Sequence, residues 1–185
     1  MTVIICPGVH DAALSDRFLT ALNRELRTAG STRLVSPEQV LPTQRYAPFD
    51  GLAVWSFVEK MADPQAPLAL IGFSAGVVGA IAAANFWRGQ GRTVAAAIAV
   101  DGWGVPQVGD FPLHRVSHDH FTHWSSALLG AGQDSFYADP AVEHLDLWQC
   151  PDRAVGVRVT ASGRSETTTA IAFMAQVICH YAPFP

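Results

Sequence analysis

The chain has 185 residues, of which 49 % are hydrophobic and only 15 % charged, enough apolar material to bury the core of one domain over residues 1–185 and too much for a disordered segment. Its 12 basic and 16 acidic residues leave a net charge of −4, and the basic ones stand singly, which argues against nucleic acid as a partner. No run approaches the ~18–20 apolar residues of a membrane span, and the opening "MTVIICPG" lacks the basic stretch and the length of a secretory signal.

Taken in chain order, Thr2–Cys6 is a β-branched apolar run closed by Pro7-Gly8, the mark of a buried strand entering a loop. Residues 11–29 carry Leu14, Phe18, Leu19, Leu22 and Leu26 at helical spacing and stop at Gly30. "TRLVSP" (32–37) reads as a second strand, and "DGLAVWSFVEKMA" (50–62) as a second helix with Leu52, Trp55, Val58 and Met61 on one stripe. "PLALIGF" (67–73) is a third strand, "VVGAIAAANFWRG" (77–89) a third helix, "TVAAAIAVDGWG" (93–104) a fourth strand and "PLHRVSHD" (112–119) a fifth. "AVGVRV" (154–159) reads as a sixth strand, and "ETTTAIAFMAQVICHYA" (166–182) as a closing helix. Apolar strands alternating with helices predict a doubly wound three-layer α/β sandwich, with a mostly parallel sheet of about five or six strands. Residues 111–156 break the alternation and hold five of the seven histidines, the kind of irregular chain on which sites are built. Cys6, Cys150 and Cys179 are odd in number, far apart and in apolar settings, so they read as reduced thiols and point to the cytoplasm.

Ser74 is the one side chain capable of chemistry within "LALIGFSAGVVGA". Burying a hydroxyl without a partner costs roughly 1–3 kcal/mol, so a hydroxyl in an apolar run needs a reason. Gly72 and Gly76 flank it where a strand meets a helix, as a sharp turn with close backbone approach requires. The helix N-terminus and the free N–H of Ala75 favour negative charge developing beside it. The plainer reading of such a residue is a helix N-cap.

Gly72-Phe73-Ser74-Ala75-Gly76 in this setting resembles the nucleophile elbow of the α/β-hydrolase superfamily. The resemblance implies a minimal α/β-hydrolase fold without a cap domain, similar in size to cutinase-like and other small serine hydrolases. It also implies a base and an orienting acid later in the chain. His144, in a stretch read as loop, is the candidate base, although the family's histidine usually follows the last strand. Asp119 at the end of the fifth strand is the favoured acid, Asp101 at the end of the fourth is the alternative, and Asp139 a remoter one. The family draws its second oxyanion donor from the loop after the first strand, here the N–H of Val9 or His10 beside that of Ala75. Trp103, Phe121, Trp124 and Phe136 are the expected substrate-binding border, with Arg115 the sole basic neighbour.

These residues together imply a serine esterase or thioesterase acting on a small-molecule neutral ester, without cofactor or metal. The alternative is a non-catalytic binding or scaffold protein of the same fold. His114, His118, His120 and His123 around Asp119 suggest a metal site, with His118 and His120 on one strand face, but nothing nearby supplies a third ligand; the plainer reading borders the crevice with them. No Gly-x-Gly-x-x-Gly or phosphate-binding loop follows the first strand.

Overall fold

Five runs lie side by side in parallel in the computed structural model, which describes residues 1–182: Thr2–Cys6 (β1), Leu68–Phe73 (β2), Val94–Val100 (β3), Leu113–Ser117 (β4) and Ser135–Ala138 (β5). Val155–Val159 (β6) and Ser165–Thr169 (β7) continue the sheet antiparallel, and the seven strands follow one another across it in chain order. The helices are Ala12–Thr28 (α1), Gly51–Met61 (α2), Gly76–Gly89 (α3), His120–Ala127 (α4), His144–Gln149 (α5) and Ala170–Tyr181 (α6).

Alternation along the strands sorts the core into two layers. Val3, Ile5, Ile71, Phe73, Ile98 and Val100 pack toward α1, α5 and α6, whereas Ile4, Cys6, Leu68 and Leu70 pack toward α2 and α3. β2 and β3 are therefore buried along their whole length, which explains their near-continuous apolar sequences. No helix among the described residues is long and apolar enough to cross a membrane.

The three layers match expectation, but the sheet has seven strands rather than five or six, and its order has no reversal of the doubly wound kind. Both faces are covered because the β1–β2 connection lays α1 on one side and α2 on the other. Residues 32–37 form no strand. They run as irregular chain into a 3₁₀ turn at Pro37–Gln39, after which Val40 bridges to Ile5 of β1. The β-branched run Thr167-Thr168-Thr169 is strand rather than helix, and Thr169 then caps α6 by accepting from the Ala172 N–H at 3.3 Å. The region expected to be irregular holds α4, β5 and α5.

Candidate functional site

Ser74 follows β2 with a backbone φ of 52°, in the left-handed region that a side chain rarely occupies. Its neighbours explain how it is held there. The Ser74 N–H donates to Val100 O at 2.9 Å, tying the turn to the end of β3. A Cβ at Gly72 would lie 2.8 Å from Val77 Cα, and one at Gly76 2.1 Å from Cys6 O, so glycine at both flanks is a packing requirement. Gly8, in the loop after β1, lies against Ser74 so closely that a Cβ there would stand 3.1 Å from Ser74 Cβ. Among the described residues the N–H groups of Ala75, Val9 and His10 donate to no backbone acceptor, and Ser74 Oγ makes no hydrogen bond.

One strand over, Asp101 ends β3 with a φ of 50°, the other non-glycine left-handed residue among those described. Its side chain is 1 % exposed. Three donors reach the carboxylate: the His118 N–H on Oδ1 at 2.9 Å, and on Oδ2 both His118 Nδ1 at 2.9 Å and His144 Nδ1 at 2.7 Å. Burial opposes its ionisation, but the hydrogen bonds from His118 and His144 outweigh that cost and hold the carboxyl below its ordinary range.

His144 opens α5 instead of sitting in a loop. Trp148, four residues on, is buried and stacks on Phe18 at 3.7 Å and on Phe73 at 4.8 Å, which docks the short helix. His144 in turn stacks on Phe73 at 4.7 Å, and Phe73 is the residue before Ser74. A carboxylate only accepts, so the proton of neutral His144 belongs on Nδ1 and its Nε2 is left as an acceptor. Among the described residues that Nε2 has no hydrogen-bond partner, a free lone pair on the imidazole that packs beside the serine turn.

Asp119, the favoured acid, makes no such bond. It is the N-cap of α4, Oδ1 accepting from the Thr122 N–H at 2.6 Å, while Oδ2 lies 3.5 Å from His118 Nε2. β4 ends at Ser117 and the chain turns at once into a helix, whose unpaired first-turn N–H groups claim the carboxylate. Asp139 is exposed beyond β5, with its N–H given to Val155 O. The carboxylate that hydrogen-bonds His144 is thus Asp101, and the sequence signal for it was an ionisable residue closing an all-apolar strand before glycine. His118, read only as a border or metal candidate, is the residue sequence reasoning placed least well.

The other histidines disperse. His114 is buried beneath α6 against Tyr181, and His120 and His123 belong to α4 beside Tyr137, so His118 and His120 share no strand face. Donor atoms of Asp101, His118 and His144 do fall within 4.8 Å of one another, a span a divalent cation could bridge. Their spacing here is that of hydrogen bonds, with both Nδ1–H groups on one oxygen. Trp103, Phe121 and Trp124 are exposed at the carboxyl ends of β3 and β4. Phe136 is not on that border: alternation along β5 turns it into the core, where it stacks on Phe173. Arg115 is buried, and its guanidinium donates to Ala131 O, His123 O and Ser126 Oγ at 2.8, 2.6 and 3.0 Å. His10 lines a cavity of about 180 Å³ with Pro7, Pro37, Leu41 and Pro42, while its Nδ1 donates to Asp11 O. Cys6 is buried, and burial pushes its thiol up to about 12, whereas Cys150 and Cys179 are partly buried and unpaired.

No protein-family model matches the chain, and comparison with curated proteins finds no match either.

Proposed function

We propose that this protein is a serine hydrolase, similar to small lidless α/β-hydrolases, that cleaves small neutral carboxylic esters or thioesters through an acyl-enzyme on Ser74. What carries the reading is the Asp101–His144 hydrogen bond of 2.7 Å, which leaves an unpartnered Nε2 on an imidazole stacked against the residue before Ser74. In the reaction, Ser74 Oγ bonds to the carbonyl carbon as His144 Nε2 takes its proton. The carbonyl oxygen, now anionic, accepts from the N–H of Ala75 and from that of Val9 or His10. Collapse breaks the ester bond, and the leaving alcohol or thiol takes the proton from His144. Water then adds by the same route and releases the acid, while Asp101 stabilises the imidazolium in both halves.

The substrate class follows from the rim. Trp103, Phe121 and Trp124 present apolar surface, and Arg115 is already committed to three acceptors, so a charged acyl group would meet a desolvation cost without a clamp. Short aryl or alkyl esters should therefore give the highest kcat/KM, with no rise when the substrate forms an oil–water interface. The test is labelling with a fluorophosphonate probe. A covalent adduct on Ser74, absent in Ser74→Ala along with ester turnover, is the expected result. A folded protein that is neither labelled nor active would leave the scaffold reading in its place.

A further inference from the structure

Asp101 receives more than one histidine. We propose that His118 is a positioning residue of this site: it holds the Asp101 carboxylate in place, anchors the chain segment that carries His144, and governs how much of the Asp101 charge the His144 imidazole receives. The inference rests on the reading of Ser74, Asp101 and His144 as a hydrolytic site.

Three groups of His118 act on the same assembly. Its amide N–H fills Asp101 Oδ1 at 2.9 Å, and its Nδ1 shares Oδ2 with His144 at 2.9 Å. Its carbonyl accepts from the Val142 N–H at 3.0 Å, two residues before His144. With Asp101 1 % exposed, removing the imidazole takes away one of three donors: the backbone N–H still holds Oδ1, but Oδ2 is then held by His144 alone, and its orientation is less fully fixed. Because Oδ2 only accepts, both Nδ1 atoms carry protons when the two rings are neutral.

The charges around His118 extend the argument. Asp101 faces its Nδ1, Asp119 lies 3.5 Å from its Nε2, Glu143 at the start of α5 adds negative charge, and His144 is the competing imidazole. The hydrogen bond to Asp101 holds His118 above the ordinary histidine value, although partial burial works against it. A cation on His118 competes with the His144 Nδ1–H for the same carboxylate oxygen.

The experiment compares wild type, His118→Asn and His118→Ala. The asparagine amide places a donor where Nδ1 stood but cannot carry charge, so the two contributions separate. Turnover of p-nitrophenyl acetate is followed across pH, thermal unfolding establishes that each variant is folded, and proton NMR reads the low-field imidazole N–H resonances. Expected are a fall in kcat of about 10²-fold with little change in KM for His118→Ala, and recovery of most of kcat at alkaline pH in His118→Asn. The NMR spectrum should lose one hydrogen-bonded N–H resonance and shift the other. An active wild type whose kcat and pH profile both variants reproduce would overturn the role of His118. If wild type itself neither hydrolyses ester nor labels at Ser74, the hydrolase reading fails and the spectrum decides alone: an unmoved His144 resonance in His118→Asn refutes the coupling, and a moved one upholds it.

Discussion

Asp101 and Asp119 end neighbouring strands, and the donors that reach each one set them apart. Asp101, turned inward by its left-handed backbone, meets two imidazoles and an amide, whereas Asp119 is taken by the first turn of α4. For the proposed hydrolase, replacing Asp101 by Asn would set an amide against His144 Nδ1 and favour the wrong tautomer, so kcat should fall by roughly 10³–10⁴ with the fold retained. Asp119→Ala removes a helix cap and should cost about 1 kcal/mol of stability, with a far smaller effect on kcat. Steady-state kinetics and urea unfolding of the two variants side by side check this; equal losses of kcat would contradict the assignment.

Two short elements carry the site, and neither is stable alone. α5 has six residues, fewer than an isolated helix needs, so the Trp148 stack between Phe18 and Phe73 keeps His144 where it is. α4 is fastened from β4 by Arg115, whose guanidinium has carbonyl and hydroxyl partners but, among the described residues, no carboxylate, and burial lowers its affinity for a proton. Truncation to Ala would leave the oxygens of Ala131 and His123 without that donor. Arg115→Ala should therefore destabilise the protein by about 2–4 kcal/mol, read from the urea midpoint at constant slope. A midpoint within error of wild type would show that the clamp contributes nothing.

Across the whole molecule, two histidines held below their ordinary range contribute to the response to acid. Burial, with Arg115 and His120 nearby, lowers His123 to about 4, and burial lowers His114 as well. A histidine held below the unfolded value of about 6.5 adds stability that is fully present above that pH and is lost as pH falls toward the folded value. The window runs from about pH 6.5 down to about 4, and His123 accounts for at most about 3 kcal/mol of the loss. His123→Gln, whose amide can still meet Ser135 Oγ, should shrink the difference between unfolding free energies measured at pH 7 and pH 4.5. An undiminished difference would place the acid sensitivity elsewhere.

What the sequence determined by itself was local in origin. Apolar runs alternating with helical stripes specify layers, and the glycines around Ser74 announce a turn too tight for side chains, because both signals are written in adjacent residues. β5 and β7 were hidden, being short, polar or poorly alternating, and their strand state comes from pairing with β4 and β6. The inward turn of Phe136 depends likewise on which face of β5 meets α6. Chain order pointed to His144 and to a strand-end carboxylate as its partner, and of the two available it favoured Asp119 over Asp101. Only the tertiary structure decides which of them hydrogen-bonds His144, because a left-handed turn after β3 and the docking of Trp148 bring Asp101 and His144 within 2.7 Å, while helix α4 captures the other carboxylate with its own unpaired N–H groups.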